Sequence, residues 1–103
     1  MAEETQIPFR VVCSELVSRS MVDILRRAKQ EGFGKVVGPA LRQTIQRLRT
    51  DPLEFGENLY ELPALKQEVR IGGISAIAVR YAVDPERRVV FIGDCKRLHI
   101  VDH

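Results

Sequence analysis

The chain has 103 residues, of which 45% are hydrophobic and 29% are charged, with a formal net charge of +2. This length fits a single domain at residues 1–103, and the composition is that of a globular protein, which excludes a disordered chain. The first nine residues carry two acids and no basic segment, and the longest apolar stretch, residues 71–79, is short and contains two glycines. Neither a signal peptide nor a membrane span is therefore predicted, and we expect a cytoplasmic protein whose Cys13 and Cys95 are reduced.

The charge is unevenly distributed along the chain. Residues 10–50 hold nine basic and three acidic side chains, residues 51–86 hold three basic and seven acidic ones, and residues 87–103 hold four basic and two acidic ones. A basic surface of this kind suits RNA, DNA or an acidic protein partner, but charged helices also keep a small domain soluble. The charge pattern alone fits both interpretations.

A short strand at residues 9–13 and an amphipathic helix at residues 16–30 are predicted first. Apolar side chains recur in this helix at three- and four-residue spacing, which places them on one face. Ser14 suits the N-cap, since its hydroxyl can accept a hydrogen bond from a first-turn N–H, and a glycine loop at residues 32–34 ends the helix.

A second helix follows the glycine loop. Proline is tolerated in the first helical turn, so the helix begins near Gly38, or one turn earlier with a kink at Pro39. It ends before Asp51-Pro52, because a proline disfavours helical backbone at the residue that precedes it. Two helices joined by a short loop predict an antiparallel helical hairpin. The apolar stripe of each helix must be buried against another element of the fold.

Strands are predicted in the second half of the chain. They occupy residues 66–71, 74–83 and 89–92, after a loop at residues 53–65 and with turns at Gly72-Gly73 and residues 84–87. Alternation along the middle strand puts four side chains on one apolar face: Ile77, Val79, Tyr81 and Val83. Arg80 lies on the opposite face. The fold class is therefore α+β: an N-terminal strand, the helical hairpin packed on one sheet face, and a three-stranded antiparallel meander.

The sequence lacks the standard catalytic motifs. It contains no nucleophile elbow, no phosphate-binding P-loop and no zinc-protease motif, so no metal and no cofactor are expected. The two histidines, His99 and His103, are four residues apart, and a solvated pair is the alternative to a functional one.

Taken in chain order, several short features resemble one known family. A leucine and an Asp-Pro pair end the second helix, a glycine follows, then a basic strand, a strand that ends in an aromatic residue, and a basic pair. Here these features are Leu48, Asp51-Pro52, Gly56, Lys66 with Arg70, Tyr81 and Lys96-Arg97. Over residues 9–99 they resemble the RelE/ParE superfamily, small toxins of type II toxin–antitoxin modules that include plasmid-stabilisation proteins.

The resemblance implies one expected activity and two alternatives. RelE-like members are endoribonucleases that cut messenger RNA on the ribosome without a metal, with the ribose 2′-hydroxyl attacking the adjacent phosphate. ParE-like members inhibit DNA gyrase and cleave nothing. A member that has lost toxicity would persist as a protein-binding module. RNA cleavage is the expectation, although one scaffold serves all three activities.

For RNA cleavage the resemblance implies a group of cations around the scissile phosphate. We expect Arg97 to be the main catalytic cation, with Arg80 reaching the same cleft in place of an arginine that family members carry after the hairpin glycine. The expected substrate-binding residues are Lys66, Arg70 and Lys96. Family members carry a tyrosine after the basic pair, and here His99 or His103 is expected to replace it as proton carrier.

The resemblance also implies a protein partner. Family toxins are held by an antitoxin that is encoded in an adjacent gene and folds on binding. The basic regions of this chain make an acidic segment the expected match. No membrane partner is expected.

Overall fold

The structure of the protein, a computed structural model, describes residues 7–98. In this range the chain forms three α-helices and five strands in an α+β arrangement. In chain order these are β1 (Arg10–Cys13), α1 (Glu15–Gln30), α2 (Gly34–Thr50), α3 (Pro52–Phe55), β2 (Glu57–Leu62), β3 (Gln67–Ile74), β4 (Ile77–Asp84) and β5 (Val89–Arg97). One turn of 3-10 helix lies between β2 and β3. No helix within the described range is long and apolar enough to cross a membrane.

The strands form one mixed sheet in the order β1-β5-β4-β3-β2. β1 runs parallel to β5, and the four strands from β2 to β5 are antiparallel neighbours. The predicted three-stranded meander is therefore wrong by one strand, because residues 57–62, which fall in the predicted loop, form β2. β2 is an edge strand with almost all of its side chains exposed, so its sequence lacks the alternation that a half-buried strand shows.

The turn between β3 and β4 lies at Ser75-Ala76, and the predicted turn at Gly72-Gly73 is wrong. Both glycines belong to β3. A Cβ atom at Gly72 would lie 2.7 Å from a ring carbon of Phe55, so this glycine lets α3 pack closely on the sheet. The turn instead uses Ser75 in the left-handed region, at a φ of 54°.

The two long helices form the predicted hairpin. Val17 donates its backbone N–H to the Ser14 hydroxyl oxygen at 3.2 Å, which confirms the N-cap. α2 begins at Gly34, the earlier of the two predicted starts, and Pro39 lies inside it. It ends at Thr50, as predicted.

The hairpin covers one face of the sheet, and the core lies between them. The apolar face predicted for β4 is confirmed, because its four side chains are each at most 1% exposed: Ile77, Val79, Tyr81 and Val83. Leu48 of α2 and Phe9 join Val79, Tyr81 and Val83 in the larger of two core clusters, whereas Ile77 belongs to the smaller one. The sheet face that carries these residues is termed the helix-covered face, and the opposite one the open face.

Cys95 lies on the helix-covered face of β5 and is 3% exposed. Burial raises the pKa of its thiol from 9.0 to about 11, with a smaller contribution from Asp94. The folded protein favours the neutral thiol, so the contribution of this thiol to stability is complete below its unfolded pKa and is lost as the pH rises toward 11. We therefore expect the free energy of unfolding to fall by up to about 2 kcal/mol between these two pH values.

Urea denaturation at a series of alkaline pH values checks the expected fall. Cys95→Ala should remove this part of the pH dependence, whereas Cys13→Ala, the same change at a half-buried cysteine of β1, should retain it. The same pH profile for both variants would contradict the role of the Cys95 thiol.

Candidate functional site

Tyr81 is the centre of a buried polar network between α3 and the sheet. Its hydroxyl donates to the carbonyl oxygen of Pro52 at 2.8 Å and accepts from the backbone N–H of Gly56 at 3.0 Å. Arg70, opposite Tyr81 in the β3–β4 pair, donates to the Gly56 carbonyl oxygen and forms a 2.8 Å ion pair with Glu68. Burial raises the pKa of the Tyr81 phenol, which keeps the hydroxyl proton in place for donation.

This network gives a structural role to several of the features that carry the family resemblance. Asp51 is the N-cap residue of α3, Pro52 is its first residue, and Gly56 follows its last residue. A Cβ atom at Gly56 would collide with the carbonyl oxygen of Ile71, so the position requires glycine. The Arg70 side chain is 12% exposed and its guanidinium is held by the network. This placement favours a structural role for Arg70 over the expected contact with a substrate.

An ion pair fixes the corner between α2 and α3. Arg47 donates from Nε to an Asp51 carboxylate oxygen at 2.8 Å, and its guanidinium carbon lies 4.9 Å from the centre of the Phe55 ring. The hydrogen bond from Arg47 holds the pKa of the Asp51 carboxyl below its usual value. The corner positions α3 so that the Tyr81 hydroxyl can reach it.

Arg97, the expected main catalytic cation, lies on the helix-covered face at the end of β5. It stands opposite Ile77 of β4, which belongs to the core. Its Nη1 atom is 2.9 Å from a Glu31 carboxylate oxygen, and its guanidinium carbon is 5.4 Å from the centre of the Phe33 ring. The side chain is 14% exposed. Arg97 therefore ties the end of the sheet to the loop between α1 and α2.

Arg80 and Lys96 lie on the open face, so the expectation that Arg80 and Arg97 share one cleft is wrong. Arg80 stands opposite Asp94 of β5, and the Lys96 ammonium is 3.8 Å from the same carboxylate. The cause is a β-bulge, since the register shifts after Arg80 and leaves Gly93 as an extra residue of β5. One extra residue reverses the alternation, which turns Asp94 and Lys96 to the open face and Arg97 to the helix-covered face.

The other expected site residues lie neither beside Arg97 nor beside Arg80 and Lys96. Lys66 is exposed, has a φ of 54°, and precedes the first residue of β3. The last residue of β3 pairs with Ile77, the partner of Arg97, so Lys66 and Arg97 lie at opposite ends of the sheet. His99 and His103, the expected proton carriers, lie outside the described residues.

A continuous apolar row crosses the open face, with one side chain from each strand. In sheet order it consists of Val12, Phe91, Ala82, Val69 and Tyr60. Phe91 is 40% exposed and Tyr60 is 53% exposed, whereas Val69 is 5% exposed. The sequence analysis did not predict this row, because Tyr60 falls in the predicted loop. One signal for it was available. Side chains alternate along the last strand, so Phe91 must lie on the opposite sheet face from the residues directly before and after it.

Charged side chains of both signs flank this row. The adjacent row of the open face holds Arg80 with Glu57 and Asp94, and Lys96 lies in the row beyond. On the other side, Arg10 shares a row with Asp84. Aromatic rings on a sheet can stack unpaired bases, and cations beside them can bind phosphate oxygens. Phe91 and Tyr60 are three strand spacings apart, about 14 Å, so together they can take two separated bases of one strand.

No protein-family model, curated protein or solved structure matches the chain.

Proposed function

We propose that the protein is the toxin of a type II toxin–antitoxin module, that its hairpin and sheet are the RelE/ParE-type arrangement, and that it acts on RNA. The observation that supports this proposal is the open face, where two exposed aromatic rings share one row, Arg80 lies in the adjacent row and Lys96 lies in the row beyond. The resemblance supplies the target, which is messenger RNA on the ribosome in the cytoplasm. Neither a metal nor a cofactor is part of the proposal.

Single-stranded RNA is the ligand that suits the open face best. The rings of Phe91 and Tyr60 offer flat apolar surface to unpaired bases, which contributes about 1–3 kcal/mol per stacked base. Arg80 adds a planar fork for phosphate oxygens, and Lys96 adds a point charge. Asp94 lies beside both cations and offsets one of them, so stacking contributes more than charge to the affinity.

The proposed cleavage needs a cation at the phosphate and a group that moves protons. The 2′-oxygen forms a bond to the adjacent phosphorus while the bond from phosphorus to the 5′-oxygen breaks. The 2′-hydroxyl proton passes to a base, and the leaving 5′-oxygen takes a proton from an acid. Arg80 is the proposed cation that stabilises the phosphorane, and His99 or His103 is the proposed proton carrier.

Phe91→Ala and Tyr60→Ala are each expected to weaken binding of single-stranded RNA by about tenfold, because each removes one stacking surface. Neither side chain belongs to a core cluster, so both variants should fold. Fluorescence anisotropy with a labelled oligonucleotide measures the affinity. Phe33→Ala is the matched control, since it removes a half-exposed ring beside Arg97 and should leave RNA binding unchanged. Equal losses in all three variants would argue against the open face.

A second candidate is a ParE-like inhibitor of DNA gyrase, or a non-toxic protein-binding module, that binds without cleavage. The dispersal of the expected cations favours it. Arg70 is paired with Glu68 and Arg97 with Glu31, so these two arginines present little net charge to a phosphate. On this reading the apolar row of the open face is a protein contact rather than a base platform.

Inducible expression in a bacterial host distinguishes these functions. Growth arrest with new messenger RNA ends that map within codons supports RNA cleavage. Growth arrest with intact RNA and inhibited gyrase supercoiling supports the second candidate. A harmless protein that alters neither RNA nor gyrase would contradict the toxin proposal and leave the binding module.

The proposed module includes an acidic antitoxin from an adjacent gene. The basic helices and the basic end of β5 support a partner of this charge. Calorimetry with the purified product of the adjacent gene tests the pairing, and the absence of any association would contradict it.

A further inference from the structure

A pocket of about 300 Å³ lies between the α1–α2 loop and the end of β5, and we term it the loop pocket. Its apolar walls are formed by Phe33, Val36, Val37, Ala76 and Leu98. Glu31 and Arg97 form its polar end. The loop pocket borders the helix-covered face and is separate from the proposed RNA surface.

The walls of the loop pocket are unusually exposed for large apolar side chains. Phe33 and Val36 are each 50% exposed and Leu98 is 49% exposed, although Val37 at the base is buried. Leu98 is fixed in this position, because its backbone N–H donates to the carbonyl oxygen of Ala76 at 2.6 Å. Apolar surface that converges on a preformed pocket is typical of a place that receives an anchor side chain from a partner.

The ion pair at the polar end is a weak one. Glu31 is 50% exposed and contacts one nitrogen of Arg97, whose guanidinium carries five N–H donors. Glu31 is also the C-cap residue of α1, where the helix dipole disfavours a negative charge. A carboxylate that approaches from outside, with both oxygens on the guanidinium, would be a better partner for Arg97.

The surroundings of the loop pocket favour an acidic ligand. Arg27 and Lys29 lie in the last turn of α1, where Arg27 is 3.2 Å from Asp23, and Lys35 lies at the start of α2. Together with Arg97, these cations outnumber the two carboxylates around the polar end, Glu31 and Asp23. A negatively charged segment is therefore attracted to the rim of the pocket, and a positively charged one is repelled.

We propose that the loop pocket receives a large apolar side chain from an acidic segment of a protein partner, and that a neighbouring carboxylate of that segment replaces Glu31 on Arg97. The inference rests on the part of the proposed function that gives the chain an acidic partner. It adds the place of contact and the chemistry of the anchor. RNA binding on the open face is a separate interaction.

Titration of the whole chain with a short peptide, followed by NMR, tests the proposal. The probe is an acetylated and amidated pentapeptide of alternating leucine and glutamate, with a dissociation constant on the order of 1 mM expected. Backbone amide signals of Phe33, Val36 and Leu98 should shift. A peptide with glutamine in place of glutamate should bind about tenfold more weakly, because it cannot form the charged pair with Arg97.

Substitutions in the protein give the sharper test. Glu31→Gln should tighten binding of the pentapeptide by about tenfold, since it removes the internal competitor for Arg97. Glu15→Gln, the same change at an exposed carboxylate in the first turn of α1, is the matched control and should have no effect. Phe33→Ala should weaken binding by about tenfold through the lost apolar wall.

Two outcomes would overturn the inference. One is peptide binding that responds equally to Glu31→Gln and Glu15→Gln, and the other is amide shifts that lie outside the loop pocket. Phe91→Ala keeps the two proposals apart, because it should weaken RNA binding and leave the peptide affinity unchanged. If only the predicted effects on RNA binding fail to appear, the proposed function is contradicted. If only the predicted effects on peptide binding fail to appear, the proposed role of the loop pocket is contradicted.

Discussion

Tyr81→Phe is expected to lower the free energy of unfolding by about 2–4 kcal/mol. The substitution keeps the buried ring and removes one hydroxyl that serves two backbone groups, the carbonyl of Pro52 and the N–H of Gly56. Tyr81 is 1% exposed, so water cannot replace the lost bonds without opening the core. Each group left unpaired costs about 1–3 kcal/mol.

Equilibrium urea denaturation measures this loss, with the denaturant slope used to check that the unfolding reaction is unchanged. Tyr60→Phe is the matched control, because it removes the same hydroxyl from a tyrosine that is 53% exposed at the edge of the sheet. We expect no measurable change for Tyr60→Phe. If both variants are as stable as the parent, the network between α3 and the sheet does not stabilise the fold.

The sequence predicted those parts of the fold in which the local side-chain pattern matches the burial of the same side chains in the folded protein. In β4 large apolar side chains alternate with alanine, arginine or aspartate, so its core face was predictable from side-chain size and polarity. β2 was not predictable, because an exposed edge strand has no buried face to impose alternation. Gly72 was wrongly assigned to a turn, because glycine occurs both in turns and where another group packs closely on the backbone. Here the ring of Phe55 packs on Gly72, and Phe55 is distant in sequence, so no local pattern indicates the contact.

The candidate site was less predictable than the fold. The basic residues were identified by type, but their faces depend on one bulge residue, Gly93, which no local pattern reveals. Without that bulge Arg97 would lie on the same face as Arg80. The family resemblance placed Arg70 at a phosphate. Its partner in the structure, the carbonyl of Gly56, could not be predicted from the sequence, because it comes within reach only when α3 packs on the sheet.

Arg80→Ala is expected to cause the largest loss of function. In the proposed cleavage Arg80 is the preorganised charge beside the phosphorane, and removing one such contact lowers the rate by about a hundredfold to a thousandfold. Growth arrest should therefore disappear. Arg80 is exposed on the open face, so the variant should fold with unchanged stability. Growth curves and the rate of RNA cleavage by the purified protein measure the two effects.

Arg97→Ala and Arg19→Ala complete this experiment. Arg97→Ala removes a side chain that is 14% exposed, together with its contacts to Glu31 and Phe33, and should lower stability by about 1–2 kcal/mol. Arg19→Ala removes an arginine that is 74% exposed on α1 and should change neither stability nor toxicity. Toxicity that survives Arg80→Ala but is lost in a folded Arg97→Ala variant would reverse the assignment and move the RNA site to the helix-covered side of the sheet.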